Sequence, residues 1–351
     1  MTRPTRALLA GVVLLLGAMA GKVAVATTPD PEGTLVLLPD AISLRGQGSR
    51  QQLIVAQRVG DTYTRPGAGS FAFETSNPHV ARVDASGIVS AVGDGRATIT
   101  ARAGAAAVST TVEVERAAAP YPITFRNHVV PVLSKAGCNS GPCHGALAGK
   151  NGFKLTLRGY DPELDYLTLT RQAAARRINR VEPARSLMLL KPTLAVDHGG
   201  GRRFRPDSPE YGVIAQWIAA GTPAPAEWDP VMTRLEVFPP TARLERGAEQ
   251  PLVVRAHFSD GHVEDVTRLT KFSTNDGAVA AVSEDGVVKV QGAGEAGVSA
   301  WYLSRLVTAR ITSPFLNTID PAVYARAPRA NFVDELVLRK LEELRIEPSP
   351  L

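Results

Sequence analysis

The chain has 351 residues, 44% of them hydrophobic, and a formal charge of +5. That length exceeds what one small core organises and predicts several domains, while scarce aromatics with frequent Gly and Pro favour short strands and turns. The modest charge, in clusters such as "RQAAARRINR" and "GGGRRFR" without interleaved aromatics, argues against a nucleic-acid partner. In chain order, Arg3 and Arg6 precede an apolar run at 7–20, and Ala24, Val25 and Ala26 then offer a cleavage pattern. The run is shorter than the roughly 20 residues of a spanning helix, so residues 1–26 are expected to be a signal peptide and the protein to be exported to the periplasm or cell surface. A thiol pair in such a compartment oxidises or is captured by a ligand.

The next segment opens with "TLVLLPDAISLRGQGSRQQLIVAQ" and continues from Phe73 as "FETSNPHVARVDASGIVSAVGDGRATITA". The latter aligns without gaps to "FSTNDGAVAAVSEDGVVKVQGAGEAGVSA" from Phe272, with turns at Gly87 and Gly286. Short alternating segments between Gly, Asn and Asp turns predict a β-sandwich in each copy. Neither copy holds a cysteine or a constellation with catalytic chemistry.

Between the copies the periodicity turns helical. Phe125, Val129, Val132 and Leu133 share one predicted helix face; Asp161 with Pro162, and Ser208 with Pro209, are helix starts. Tyr211, Ile214, Trp217 and Ile218 form the apolar face of the last helix, and Gly221 stops it. Ahead of these lies "AGCNSGPCHGAL", holding Cys138, Cys143 and His144. Three chemistries compete for it. Covalent haem needs two thiols and an adjacent histidine, ordinarily spaced C-x-x-C-H, whereas here the spacing is C-x-x-x-x-C-H with Gly141 and Pro142 able to form a compact turn. A disulfide suits an exported pair in such a turn but has no use for His144. Zinc on Cys138, Cys143, His144 and His198 would need two adjacent residues on one ion. The "HGGG" at His198 matches an oxyanion-hole segment, but no Gly-x-Ser-x-Gly elbow accompanies it. No catalytic residue is therefore expected.

The repeated pattern "S/T-x-x-x-V-A-x-V-x-x-x-G-x-V" resembles the bacterial immunoglobulin-like domain of group 2, over about 34–115 and 233–313. That resemblance implies spacer or adhesion modules binding a cell-surface protein or glycan. "F-x-x-x-V-V-P-V-L", "C-H-G", "G-F-K-L-T-L-R-G-Y-D-P", "P-A-R-S-L-M-L-L-K-P" and "W-I-A-A-G" resemble the planctomycete-type cytochrome c domain over 121–222. It implies covalent haem c with its iron, Cys138 and Cys143 as thioether anchors and His144 as proximal ligand. In the position of the usual distal methionine the chain has His198, with Met188 the alternative, and Arg202 and Arg203 follow closely enough to meet a propionate. The tail places Phe332, Leu336, Leu341 and Leu344 near one helical face and resembles the opening of a further domain of large planctomycete surface proteins.

The expected fold class is therefore multidomain: two all-β immunoglobulin-like sandwiches (33–116 and 232–314) flanking a small all-α cytochrome c-like domain (120–228), with a helical segment at 328–351. The expected function is an exported electron-transfer or redox module with an unidentified redox partner protein; the alternative is a haem-free surface adhesion or scaffold protein closed by a Cys138–Cys143 disulfide.

Overall fold

The computed structural model describes residues 33–67, 69–121 and 123–349; the expected leader at 1–26 lies outside them. The first sandwich grows from strands whose side chains alternate, as in Ala106–Glu115, where Thr110, Val112 and Val114 face inward and charged or small residues face water. Ala106–Glu115 pairs in parallel with Ala41–Arg45 and antiparallel with Gly95–Ala103, which in turn carries Ala72–Thr75. Opposite lie Thr34–Leu38, Ile54–Val59 and Thr62–Thr64, and a third small sheet joins Arg50–Gln52, Ile88–Ala91 and Ala81–Val83.

The second sandwich repeats this pairing strand for strand. Arg305–Ser313 runs parallel to Thr241–Arg243 and antiparallel to Gly294–Tyr302, which carries Lys271–Thr274. Met232–Phe238, Val253–Phe258 and Val263–Asp265 form the facing sheet, and Glu249–Pro251, Val287–Val290 and Ala280–Val282 the small one. Each sandwich encloses its own apolar core, around Val89, Ile99 and Val112 in the first and Val298, Tyr302 and Ile311 in the second.

One glycine pair explains why the repeat keeps a Phe and a Gly in register. Gly87 and Gly286 have φ of +83° and +81°, and a Cβ there would come within 2.9 Å of the Phe73 ring and 2.7 Å of the Phe272 ring. The turn needs a left-handed residue and the aromatic lid needs bare backbone. Gly286→Ala is expected to cost about 1–3 kcal/mol, from strain and ring displacement together. An unchanged chemical denaturation midpoint would contradict this.

The sandwiches meet directly. Thr62–Thr64 pairs in parallel with Thr241–Arg243 at Tyr63 and Ala242, joining strands of both into one seven-stranded sheet. Leu38, Ile54, Ala56 and Val253 make a small shared core beneath Phe238. Across the same seam Thr241 Oγ1 donates to the Asp61 carbonyl at 2.8 Å and Arg255 Nη1 to the Ala41 carbonyl at 2.9 Å.

The expectation of a small all-α cytochrome c-like domain between flanking sandwiches is thereby corrected. Among the described residues the fold is 33% strand and 21% helix. Helices between the sandwiches are short, the longest being Pro209–Ala219 at 11 residues, and they are separated by turns and irregular stretches. The composition gives part of the reason: Gly137, Gly141, Pro142, Gly145, Gly149 and Gly152 leave no uninterrupted helical run between Lys135 and Phe153. Elements this short cannot stand alone in water. They form around Phe125, Leu155, Leu169 and Trp217 and lean on the second sandwich, where Leu269 joins their core. Tyr302 Oη donates to the Asn127 carbonyl at 2.6 Å, Lys135 Nζ to the Arg268 carbonyl at 2.7 Å, and the Arg158 guanidinium stacks 4.1 Å over Trp301.

Within the insert, local expectations hold. Phe125, Val129, Val132 and Leu133 are all buried, although the helix enters through one wide turn, Phe125–Val129, before Val130–Lys135. Asp161 and Ser208 cap their helices by accepting from the amides of Leu164 and Tyr211. The C-terminal helix Phe332–Leu344 forms with an Asn331–Asp334 capping box. Its buried residue is Leu338, while Leu336 is 54% exposed, and Lys340 Nζ ties the helix to Glu295 of the second sandwich at 2.7 Å.

Candidate functional site

The cysteine loop is fixed by its own backbone. The Cys138 amide donates to the Leu133 carbonyl at 2.8 Å, the Cys143 amide to Ser140 at 3.0 Å, and the His144 amide to Cys138 at 2.9 Å, so the chain doubles back within one tight loop. Gly145 must be bare, since a Cβ there would stand 2.1 Å from the Asn139 carbonyl oxygen. The Leu155 amide then bonds the His144 carbonyl at 2.8 Å, tying the loop to the stretch behind it. Buried Asp165 anchors that stretch by accepting from the Thr156 amide and hydroxyl at 2.6 and 2.8 Å; burial pushes its carboxyl above the ordinary range. Lys135 and Glu210, 2.9 Å apart and little exposed, clamp the first helix to the last.

These elements enclose a cavity of about 690 Å³. Cys138, Cys143, His144, Met188, His198 and Arg203 all line it, so six of the seven residues singled out from sequence converge. Arg202 does not: it is exposed on the outer side of the same loop, because neighbours in an extended chain face opposite ways. Met188 is both, being 93% buried in the apolar core while lining the cavity floor.

The two imidazoles lie nearly parallel, 11° apart in plane with centroids 6.3 Å apart. His144 Nδ1 is 3.0 Å from the Phe153 carbonyl and His198 Nδ1 is 2.9 Å from the Gly201 carbonyl, so in each ring Nδ1 carries the proton. Burial, together with the nearby His198, Arg177 and Arg203, lowers the His144 pKa against the opposing Phe153 bond and keeps it neutral. Both cysteines are free thiols, Cys138 buried and Cys143 half-buried. Burial pushes the Cys138 thiol up to about 12. Cys143 Sγ instead accepts from Arg203 Nη2 at 3.2 Å.

A second polar cluster, which sequence reasoning passed over, sits where the insert meets both sandwiches. Glu264 bridges His128 at 3.3 Å and His262 at 2.9 Å, and His262 also bonds Asp260. Burial alone would raise the Glu264 carboxyl, but the His128 imidazole and hydrogen bonds from His128, His262 and Tyr121 hold it far below the carboxylate range. Next to it, Asp265 accepts from the Gln52 amide at 2.8 Å and Gln51 Nε2 at 3.1 Å, and Asp260 pairs with Arg45 at 3.0 Å. The one sequence signal was the alternation Asp260, His262, Glu264, which puts three polar groups on one side of a strand edge.

With this geometry in view, comparison with known proteins narrows the reading. Residues 47–114 match the bacterial Ig-like domain (group 2). That span lies within the first sandwich, and the second shares its pairing scheme. A search of curated proteins finds no significant relative. Among solved structures, domains 5-6 of the S-layer protein SbsC align at 11% identity and a TM-score of 0.32, over 80% of this chain and 98% of that one. A longer SbsC structure aligns at 9% and 0.22, over 77% of this chain, which spans 24% of its length. The Yersinia pseudotuberculosis adhesin InvE aligns at 11% and 0.19, over 83% of this chain and 61% of that one. Likeness this loose says nothing about what the chain binds.

The haem c and iron expectation is corrected at this point. The cytochrome resemblance at 121–222 finds no support in these comparisons, which return an Ig-like domain instead. The chain's only two cysteines are spaced C-x-x-x-x-C-H, not C-x-x-C-H, and among the described residues no group of three or more His, Cys, Asp and Glu side chains is placed to hold a metal ion. The extra residues put the second thiol on the far side of a glycine-proline turn, where Arg203 meets it.

Proposed function

We propose that the protein is an exported surface scaffold or adhesion module that presents two Ig-like sandwiches as one rigid unit and binds a cell-surface protein or glycan without catalysing a reaction. The continuous seven-stranded sheet carries this reading, because strand edges paired at Tyr63 and Ala242, with the small apolar core and the hydrogen bonds beside them, remove the hinge that two separately folded spacers would have. Support comes also from the group 2 Ig-like match and from a leader-like N-terminus at 1–26. Small-angle scattering of the exported chain is expected to fit a single compact shape. A profile requiring an ensemble of sandwich orientations would remove the scaffold reading.

In the same reading Cys138 and Cys143 close the insert loop as a disulfide once the protein reaches an oxidising compartment. The backbone bonds across the loop already bring the two residues together, and the loop, with only four residues between them, is among the short ones for which chain-entropy gain is modest, about 1–3 kcal/mol. Alkylation of denatured, unreduced protein is expected to label neither cysteine, and reduction is expected to lower the melting temperature by a few degrees. Full labelling of both thiols in protein purified from the oxidising compartment would overturn it.

A further inference from the structure

The cavity beside the cysteine loop has a charge pattern that scaffolding does not require. Lys150, Arg176, Arg177, Lys191 and Arg203 all line it, and no Asp or Glu does. Among the described residues none of the five is in an ion pair. The hollow beside the C-terminal helices differs: there Arg339, Arg345 and Arg243 share the lining with two carboxylates, Glu342 and Glu343. Lys150 and Arg176 are exposed at the rim and Lys191 Nζ bonds the Asp197 carbonyl at 2.9 Å, but Arg177 and Arg203 are half-buried, and the mutual repulsion of these cations is a cost that a bound anion would offset.

The floor is apolar. Leu133, Leu155, Leu169 and Met188 are buried there, and Phe153 and Pro192 complete it. Two of the cations are held in place by contacts that leave donors over. Arg177 stacks 4.4 Å over the Phe153 ring and gives Nη1 to the carbonyls of Thr168 and Gln172. Arg203 gives Nη2 to Cys143, while its Nε is buried and has no hydrogen-bond partner. A buried guanidinium N–H left without an acceptor costs about 1–3 kcal/mol, which a ligand oxygen would recover. His144 and His198, whose protons are held on Nδ1 by main-chain carbonyls, add no negative charge to the wall.

We infer that this cavity binds a small amphipathic organic anion, its apolar body on the Leu155–Met188 side and its anionic head among Arg203, Arg177 and the lysines. The volume of about 690 Å³ lies within the range of small-molecule sites, and apolar walls with few converging polar groups are what such sites share. This site is additional to the scaffold reading, which stands or falls on the sheet and not on the cavity.

The test uses the full exported chain and the fluorescent anion 1-anilinonaphthalene-8-sulfonate. Saturable binding is expected, with displacement by decanoate and at least about tenfold weaker displacement by decanol, which has the body without the charge. Inorganic phosphate, which has the charge without the body, is expected not to displace it at matched concentration. Arg203→Gln should weaken decanoate binding about tenfold while leaving the melting temperature within a degree or two of the parent; Arg177→Gln should weaken it similarly, with a melting temperature lowered by a few degrees as the bonds to the Thr168 and Gln172 carbonyls are lost. Arg202→Gln, whose side chain lies outside the cavity, should leave binding unchanged. Non-saturable dye binding, equal competition by decanoate and decanol, effective competition by phosphate, or an Arg203→Gln variant that binds as the parent does would each overturn the site.

Discussion

Glu264→Ala is expected to be among the most destabilising single substitutions in the protein, costing about 3–5 kcal/mol. Its carboxylate is the common partner of His128 from the insert and His262 from the second sandwich, with side chains only 5%, 13% and 11% exposed for His128, His262 and Glu264. Removing the anion leaves two imidazoles and Tyr121 facing a void, and it uncouples the insert from the sandwich that supports it. Chemical denaturation should show a lower midpoint, and a change below about 1 kcal/mol would refute the role given to the cluster.

The same cluster sets a pH dependence whose sign is fixed by two opposite shifts. Glu264 is lowered, so its contribution is present above its ordinary value of 4.5 and is lost as pH falls below that toward the depressed pKa. His262 is raised: although burial alone would lower it, hydrogen bonds and attraction from Glu264 and Asp260 prevail. Its contribution is complete below 6.5 and is lost as pH rises through the raised value. Buried Asp265, raised by desolvation despite bonds from Gln52 and Thr267 and the nearby Arg50, runs against Glu264 at the acid edge. Melting temperature is therefore expected to peak between pH 4.5 and 6.5 and to fall on both sides. Glu264→Gln should flatten both limbs, and a parent profile that keeps rising from pH 6.5 to 8 would contradict the assignment.

Trp217→Ala is the second large effect, expected at about 3–5 kcal/mol. The indole is fully buried, tilted against Phe125 at a 5.2 Å centroid distance and edge-on to Tyr166 at 6.3 Å, and Nε1 donates to the Pro223 carbonyl at 3.0 Å. It is the largest side chain where the first and last helices of the insert cross, so the cavity it leaves has no neighbour able to fill it. Hydrogen exchange should accelerate across 125–222 while amides of Gly294–Tyr302 and Arg305–Ser313 stay protected. Equal acceleration in the sandwich strands would mean that the insert and sandwich unfold as one unit, contrary to this expectation.

The repeat from Phe73 and from Phe272 was legible because strand alternation and left-handed turns are written in neighbouring residues. Asp161 with Pro162, and Ser208 with Pro209, were legible as helix starts for the same reason: a cap bonds an amide only three residues away. Cys138, Cys143, His144, His198 and Arg203, grouped from sequence, line one cavity together with Met188, which the sequence offered only as the alternative to His198, but the chemistry assigned to them was not upheld. That assignment rested on a motif with altered spacing. Arg202 was misplaced because sequence proximity does not say which of two adjacent side chains turns inward.

What the sequence determined by itself was thus local: periodicity, caps, turns and the two copies of one sandwich. Tertiary structure alone decided the rest. The Tyr63–Ala242 pairing that fuses the sheets joins two strand edges, and edge backbone carries no side-chain signature of its partner. His128, on the first helix of the insert, is buried because Glu264 arrives from a distant strand, and an imidazole has no local mark of its counter-charge. Lys150, Arg176, Arg177, Lys191 and Arg203 resemble ordinary solvated cations when met one at a time. Only folding, which brings them around one apolar floor without a carboxylate, turns them into a site.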